Sequence, residues 1–146
     1  MKVASRILYI VASVITAVTA LMFIGLCVAF IVLANNTDLI NQIVNFFNTQ
    51  VIPENEFFHL TYEIVARIFI SNGIGYGITA IICVIAIPIF LSANKKLDDL
   101  VNSQTTPFIL AIIFGLFATS LAVAASVLAL IARSIAIRRK NRQANV

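Results

Sequence analysis

The amino-acid sequence predicts an all-α integral membrane protein: one domain, 1–146, in which three transmembrane helices form a bundle and an amphipathic helical segment joins the first to the second. Two observations predict it. Of the 146 residues, 61% are hydrophobic and only 11% charged, under half the roughly 25% charge of soluble domains, and the mean hydropathy is +1.03. The apolar residues also gather into three charge-free runs, 7–33, 72–91 and 108–132. Each has the length, about 20 residues or more, that crosses roughly 30 Å of hydrocarbon as a helix. A water-soluble chain of this size leaves so much of its surface wet that these runs find no interior to fill. The composition asks for lipid as the solvent.

The first run follows Lys2 and Arg6 and opens like a secretory signal, with Val18-Thr19-Ala20 as a cleavage-like tripeptide. The apolar core of a signal is about 7–15 residues. This one continues to Leu33, so it reads as a retained transmembrane helix. Over 34–71 the pattern changes. Thr37 and Asp38 offer a helix N-cap, and Leu39, Ile40, Ile43, Val44, Phe47 and Val51 then recur at helical spacing against Asn41, Gln42, Asn45, Asn48 and Thr49. That predicts an amphipathic helix over 38–51, too short and too polar to span, ended by Pro53. Past Glu54 and Asn55, a second amphipathic stretch sets Phe57, Phe58, Ile64, Val65, Ile68 and Phe69 against Glu56, His59, Glu63 and Arg67. It is placed to run on into the second span, whose Pro88 predicts a kink or an early end. A polar connector over 92–107, with Lys95, Lys96, Asp98 and Asp99, leads to Pro107 as the first residue of the third helix. A basic tail over 133–146 carries Arg138, Arg139, Lys140 and Arg142.

The net charge of +4 does not point to nucleic acid. The basic residues are few and flank apolar runs, where membrane helices keep their Lys and Arg, and the sequence has no aromatic-plus-basic repeat. Cys27 and Cys83 lie singly in apolar runs, without the spacing of a disulfide framework or a metal site, and read as small buried side chains. His59, the one histidine, has no second ligand beside it and reads as a surface residue. The sequence shows no Ser-His-Asp grouping, HExxH, phosphate loop or carboxylate pair within a span. The expectation is a non-enzyme with no metal, cofactor, nucleic acid or small-molecule substrate. Its partners are the lipid bilayer and either another membrane protein or a second copy.

Helices in lipid gain little from burying apolar side chains against each other, so small residues that let backbones approach carry the packing. Gly73 and Gly77 make a GxxxG at the head of the second span. Ala111, Gly115, Ala118, Ala122, Ser126 and Ala129 descend the third at spacings of three or four, and Ala12, Thr16 and Ala20 the first. These faces serve either packing within the chain or contact with a partner. The other candidate surface is the loop, with Phe46, Phe47, Phe57 and Phe58, and with Glu63 and Arg67 as an i,i+4 pair in the favourable order.

Lys and Arg beside a span favour the cytoplasmic side. Lys2 and Arg6 put the N-terminus inside, and Lys95 and Lys96 agree, whereas Arg133 and the 138–142 cluster pull the C-terminus inside as well. Three complete crossings cannot satisfy all of these. The favoured order is N-terminus in and C-terminus out, with the reverse, a re-entrant segment or dual insertion as alternatives.

The function that follows is a binding, accessory or immunity-type subunit acting through its helix faces and the 34–71 loop. The alternative is an oligomeric pore. The layout is similar to holins in combining three spans with a basic C-terminal tail, although the long amphipathic segment and the lack of a polar stripe along any span speak against it. In general layout the chain also resembles small membrane proteins of Gram-positive bacteria, with an extracellular helical loop after the first helix. That resemblance implies a bacterial cell membrane and carries no site residue.

Overall fold

The computed structural model describes residues 1–51 and 59–144. The chain forms α1 (Lys2–Ala34), α2 (Thr37–Phe46), a π-helical turn (Phe47–Val51), α3 (Tyr62–Lys96), α4 (Thr106–Ala118) and α5 (Ser120–Ala144). No strand occurs among the described residues. Three helices, α1, α3 and α5, are long and apolar enough to cross a membrane, and α4 is a shorter apolar helix. This is an all-helical membrane protein with the amphipathic α2 between its first two long helices.

Two compact units share the chain: Met1–Ala20 with Ile81–Val146, and Leu21–Ala80. In the first, seven of the eleven residues of the buried cluster are alanine, and Tyr9, Phe90, Leu97 and Phe108 supply its bulk. Alanine brings backbones close enough for dispersion contacts and polar bonds to act between helices. Ser5 donates to the Ala125 carbonyl at 2.6 Å. Ser126 donates to the Ala122 carbonyl at 2.7 Å. With that hydroxyl proton in use, the 2.7 Å bond between Tyr9 and Ser126 has the tyrosine as donor. At the helix ends, Arg6 pairs with Asp98 and Lys2 donates to the Asp98 carbonyl at 3.2 Å.

The third predicted span is not one helix. It is divided at Thr119, whose backbone is extended (φ −163°, ψ 132°), and α5 folds back along α4. Inside the reversal, a Cβ added at Gly115 would stand 3.1 Å from the Ala122 Cβ and 3.0 Å from a Val123 methyl. The Thr119 hydroxyl accepts from the Leu121 amide at 3.3 Å, so the break supplies the cap of the new helix. The returning helix comes to lie beside the α3–α4 connector, where Val101 lines one cavity with Ala132, Ile135 and Ala136. The expected span over 108–132 is thus shared between α4 and α5, of which α5 is itself long and apolar enough to cross a membrane.

Three other expectations need adjustment. The N-cap of α2 is Asn36, one residue ahead of Thr37, and its side chain accepts from the Leu39 amide at 3.1 Å. Asn serves as well as Asp there and leaves Asp38 in the first turn, where its charge favours the helix dipole. Pro88 does not end α3, which continues to Lys96. Pro107 lies in the first turn of α4, behind Thr106 as its first residue, where its missing N–H costs no helical bond.

The second unit is built differently. Gly73 and Gly77 of α3 pack on α1. A Cβ at Gly73 would meet Ile31 at 3.2 Å and the Cys27 carbonyl at 3.5 Å, and one at Gly77 would meet the Cys27 Sγ at 3.2 Å. Around these close approaches stands an aromatic group: Phe23 stacks on Tyr76 at 5.8 Å, and Phe30 meets Tyr76 at 5.3 Å and Phe69 edge-on at 5.8 Å.

Candidate functional site

The small-residue faces are internal packing faces. Ala111 and Gly115 of α4 and Ala122 and Ser126 of α5 are buried, and Ala118 packs half-buried against the same cluster. Gly73 is buried, and Gly77 half-buried, against α1. All seven residues therefore pack within the chain.

The 34–71 loop buries Ile40 and Val65 but leaves an aromatic pair exposed. Phe46 is 55% exposed and Phe47 37%, side by side where α2 passes into the π-helical turn. Phe57 and Phe58 lie outside the described residues. Asn48, one residue beyond Phe47, makes two bonds to a single residue: its amide nitrogen donates to the Leu60 carbonyl at 2.8 Å, and its side-chain oxygen accepts from the Leu60 amide at 2.9 Å. This bidentate clamp ties the backbone just after the phenylalanine pair to Leu60, shortly before α3. Asn48 is a functional candidate that the sequence reading placed only on a polar face. No spacing rule picks it out, because its partner is a backbone 12 residues away.

Glu63 and Arg67 are exposed on the first turns of α3. The helical spacing expected to pair them does not do so, since the ion pairs among the described residues are those of Lys2 and Arg6 with Asp98. Two exposed side chains gain too little from pairing to offset the loss of their rotamer freedom.

The basic end of α5 is a further candidate surface. Arg138, Arg139, Lys140 and Arg142 are exposed. The Arg133 Nε is enclosed and has no hydrogen-bond partner among the described residues. Two cavities lie here, one of about 450 Å³ between Val101 and the α5 face, the other of about 190 Å³ lined by Ile135, Arg138, Arg139 and Arg142. The tail was legible as a charge cluster; the fold-back that gives it a connector to face was not.

Compared with family models, with curated proteins and with solved structures, the chain finds no match in any of the three.

Proposed function

We propose that this chain is a non-enzymatic accessory or immunity-type subunit of a bacterial cell membrane, which binds another membrane protein through the exposed Phe46–Phe47 pair. The exposure of that pair on a clamped, otherwise Asn-rich segment is the observation that carries the reading. Adjacent exposed aromatic side chains are the residue type that anchors interfaces, and the faces that compete for the role are already used in packing within the chain. The pore alternative needs a polar stripe along a span, whereas the exposed large side chains of α1 are Val, Ile, Leu and Met throughout.

The same reading includes an orientation. At 13 residues, α4 is about 20 Å long, short of the roughly 30 Å hydrocarbon core. From the Tyr9–Ser126 bond, helix rise puts Lys2 about 10 Å to one side and Thr119 about 10 Å to the other. With Lys2 at the hydrocarbon edge, the hairpin enters the bilayer by about 20 Å, short of a complete crossing, and returns. With α1 and α3 crossing, Lys2, Arg6, Lys95, Lys96 and the whole basic tail then share the cytoplasmic side, as the positive-inside rule favours, and Arg67 is the one basic residue that opposes it.

A photo-reactive amino acid at position 46, irradiated in intact cells, tests the binding reading. A discrete protein adduct that disappears when Phe47 is replaced by Ser supports it. Adducts with lipid alone would show that the pair is a membrane anchor and would end the proposal.

A further inference from the structure

The reversal at Thr119 makes α5 more than a tail. From Ser120 to Ala144 the helix has no acidic residue, and over its last turns Arg138, Arg139, Lys140 and Arg142 are exposed. None of them forms an ion pair among the described residues: Asp98 is engaged by Lys2 and Arg6, and the Asp99 carboxylate accepts from Asn102. The charge is therefore unbalanced within this end of the unit.

The shape beside it is two-sided. The cavity of about 450 Å³ has Val101, Ala132, Ile135 and Ala136 for walls and Arg139 and Lys140 at the cationic end. The smaller cavity adjoins it, sharing Ile135 and Arg139 and adding Arg138 and Arg142. Apolar wall and cationic rim follow each other along the helix in the order in which a bilayer changes from acyl chain to headgroup. Arg133 stands level with Lys2, each about 10 Å from the Tyr9–Ser126 bond along its own helix, and the rim at Arg139 lies about 9 Å further along α5. The enclosed, unpartnered Arg133 Nε is one more donor in this zone. Guanidinium groups take phosphate oxygens through paired, charge-assisted N–H bonds, and basic pockets among membrane helices on the cytoplasmic side are sites for anionic headgroups.

We propose that this groove binds an anionic glycerophospholipid, with its phosphate on Arg139 and Lys140 and its glycerol end over Ile135 and Ala136. A free anion would use the rim and leave the apolar wall empty; a lipid uses both. Only the choice of leaflet rests on the orientation given above.

The test is thermal unfolding of the full chain in an uncharged detergent, with phosphatidylglycerol, phosphatidylcholine or inorganic phosphate added at equal concentration. Phosphatidylglycerol raises the midpoint by about 5 °C, as a ligand well above its Kd does, while the other two move it by no more than about 1 °C. Arg139→Gln/Lys140→Gln, whose midpoint without lipid matches that of the parent, loses the gain. Lys95→Gln/Lys96→Gln removes the same charge at the same end, outside the groove, and keeps it. No gain with phosphatidylglycerol overturns the proposal. So does an equal gain with phosphate, which marks a small-anion site, and so does equal loss in both double variants, which marks diffuse surface charge. Because detergent has no sides, a wrong orientation does not affect this result.

Discussion

The two compact units solve the same problem with different residues. The unit of Met1–Ala20 and Ile81–Val146 packs on alanine and knits its helices with hydroxyl bonds from Ser5, Tyr9 and Ser126. The unit of Leu21–Ala80 packs on glycines that admit α1 side chains and surrounds them with Phe23, Phe30, Phe69 and Tyr76. Their charges differ as sharply. The first holds nine of the ten Lys and Arg and two of the six acids, and the second holds Arg67 and the other four acids. In lipid the hydrophobic effect does not draw helices together, so cohesion comes from close approach and polar bonds. On the proposed reading, the unit rich in both is the rigid part and the one with the exposed aromatic pair meets a partner. The charge difference is what the positive-inside rule acts on.

The comparison breaks first, if it breaks, on topology. A reporter fused after Val146 should be active only in its cytoplasmic form. In a background with Cys27 and Cys83 replaced by alanine, Thr119→Cys should resist water-soluble thiol reagents added from either side, since the proposed orientation puts it within the hydrocarbon. A reporter active only outside the cell would return α4–α5 to a complete crossing and move the basic tail away from Lys2.

Next in size is the hairpin. Gly115 has three atoms within 3.1 Å of a would-be Cβ, one of them the Val123 backbone nitrogen, whereas Gly75 has nothing within 4 Å. Gly115→Leu should cost about 3 kcal/mol or prevent folding, as severe overpacking does. Gly75→Leu should be close to neutral, and Gly77→Leu, which meets only the Cys27 sulfur, should fall between them. Thermal unfolding in detergent orders the three. If Gly77→Leu proves the most damaging, the glycine-packed unit is the rigid one and the assignment of roles reverses.

These two tests fall on the part of the fold that the sequence hid. The long helices and the amphipathic α2 were legible because length, charge-free runs and helical spacing are local properties. The hairpin was not, because small residues every three or four positions from Ala111 to Ser126 fit one face of a straight helix. They fit equally well two facing sides of a reversal whose tip falls between Gly115 and Ala122. No proline or glycine marks the tip. Its only signal is the pair Thr119-Ser120, hydroxyl residues that favour a cap but are common within membrane helices. The candidate faces, legible as either packing or partner faces, are buried here, and Ala111 and Ala122 belong to two helices where the spacing suggests one. The loop was legible as far as Phe46 and Phe47. The clamp by Asn48 depends on where Leu60 returns in space, which no local pattern encodes.

The inter-helix hydroxyl bonds come next. Tyr9→Phe and Ser126→Ala each remove the bond between α1 and α5, and bonds of this kind between membrane helices contribute about 0.6 kcal/mol on average and up to about 1.7. The two changes should be non-additive, since either one alone abolishes the contact. Ser126→Ala also releases the Ala122 carbonyl, which still accepts within its helix, so its own cost stays small. Additive losses in a double-mutant cycle would mean that the two hydroxyls act independently and that the Tyr9–Ser126 contact does not hold α1 to α5.

The smallest effect is expected on the other unit, at Glu63 and Arg67. Their i,i+4 spacing in the favourable order promises a few tenths of a kcal/mol, yet both side chains are exposed and no ion pair joins them. Replacing Arg67 by Gln should therefore change the unfolding free energy by less than about 0.5 kcal/mol, and the change should shrink further with added salt, because screening acts first on exposed charges. The same substitution is informative beyond stability. Arg67 is the only cation of a unit whose other charges are acidic, so its loss makes that unit purely acidic and strengthens its preference for the side opposite the basic tail. A C-terminal reporter in the Arg67→Gln chain should report one orientation at least as uniformly as the parent. Mixed orientation after this change would mean that Arg67, and not the nine cations of the other unit, holds the topology, and the charge comparison between the units would lose its meaning.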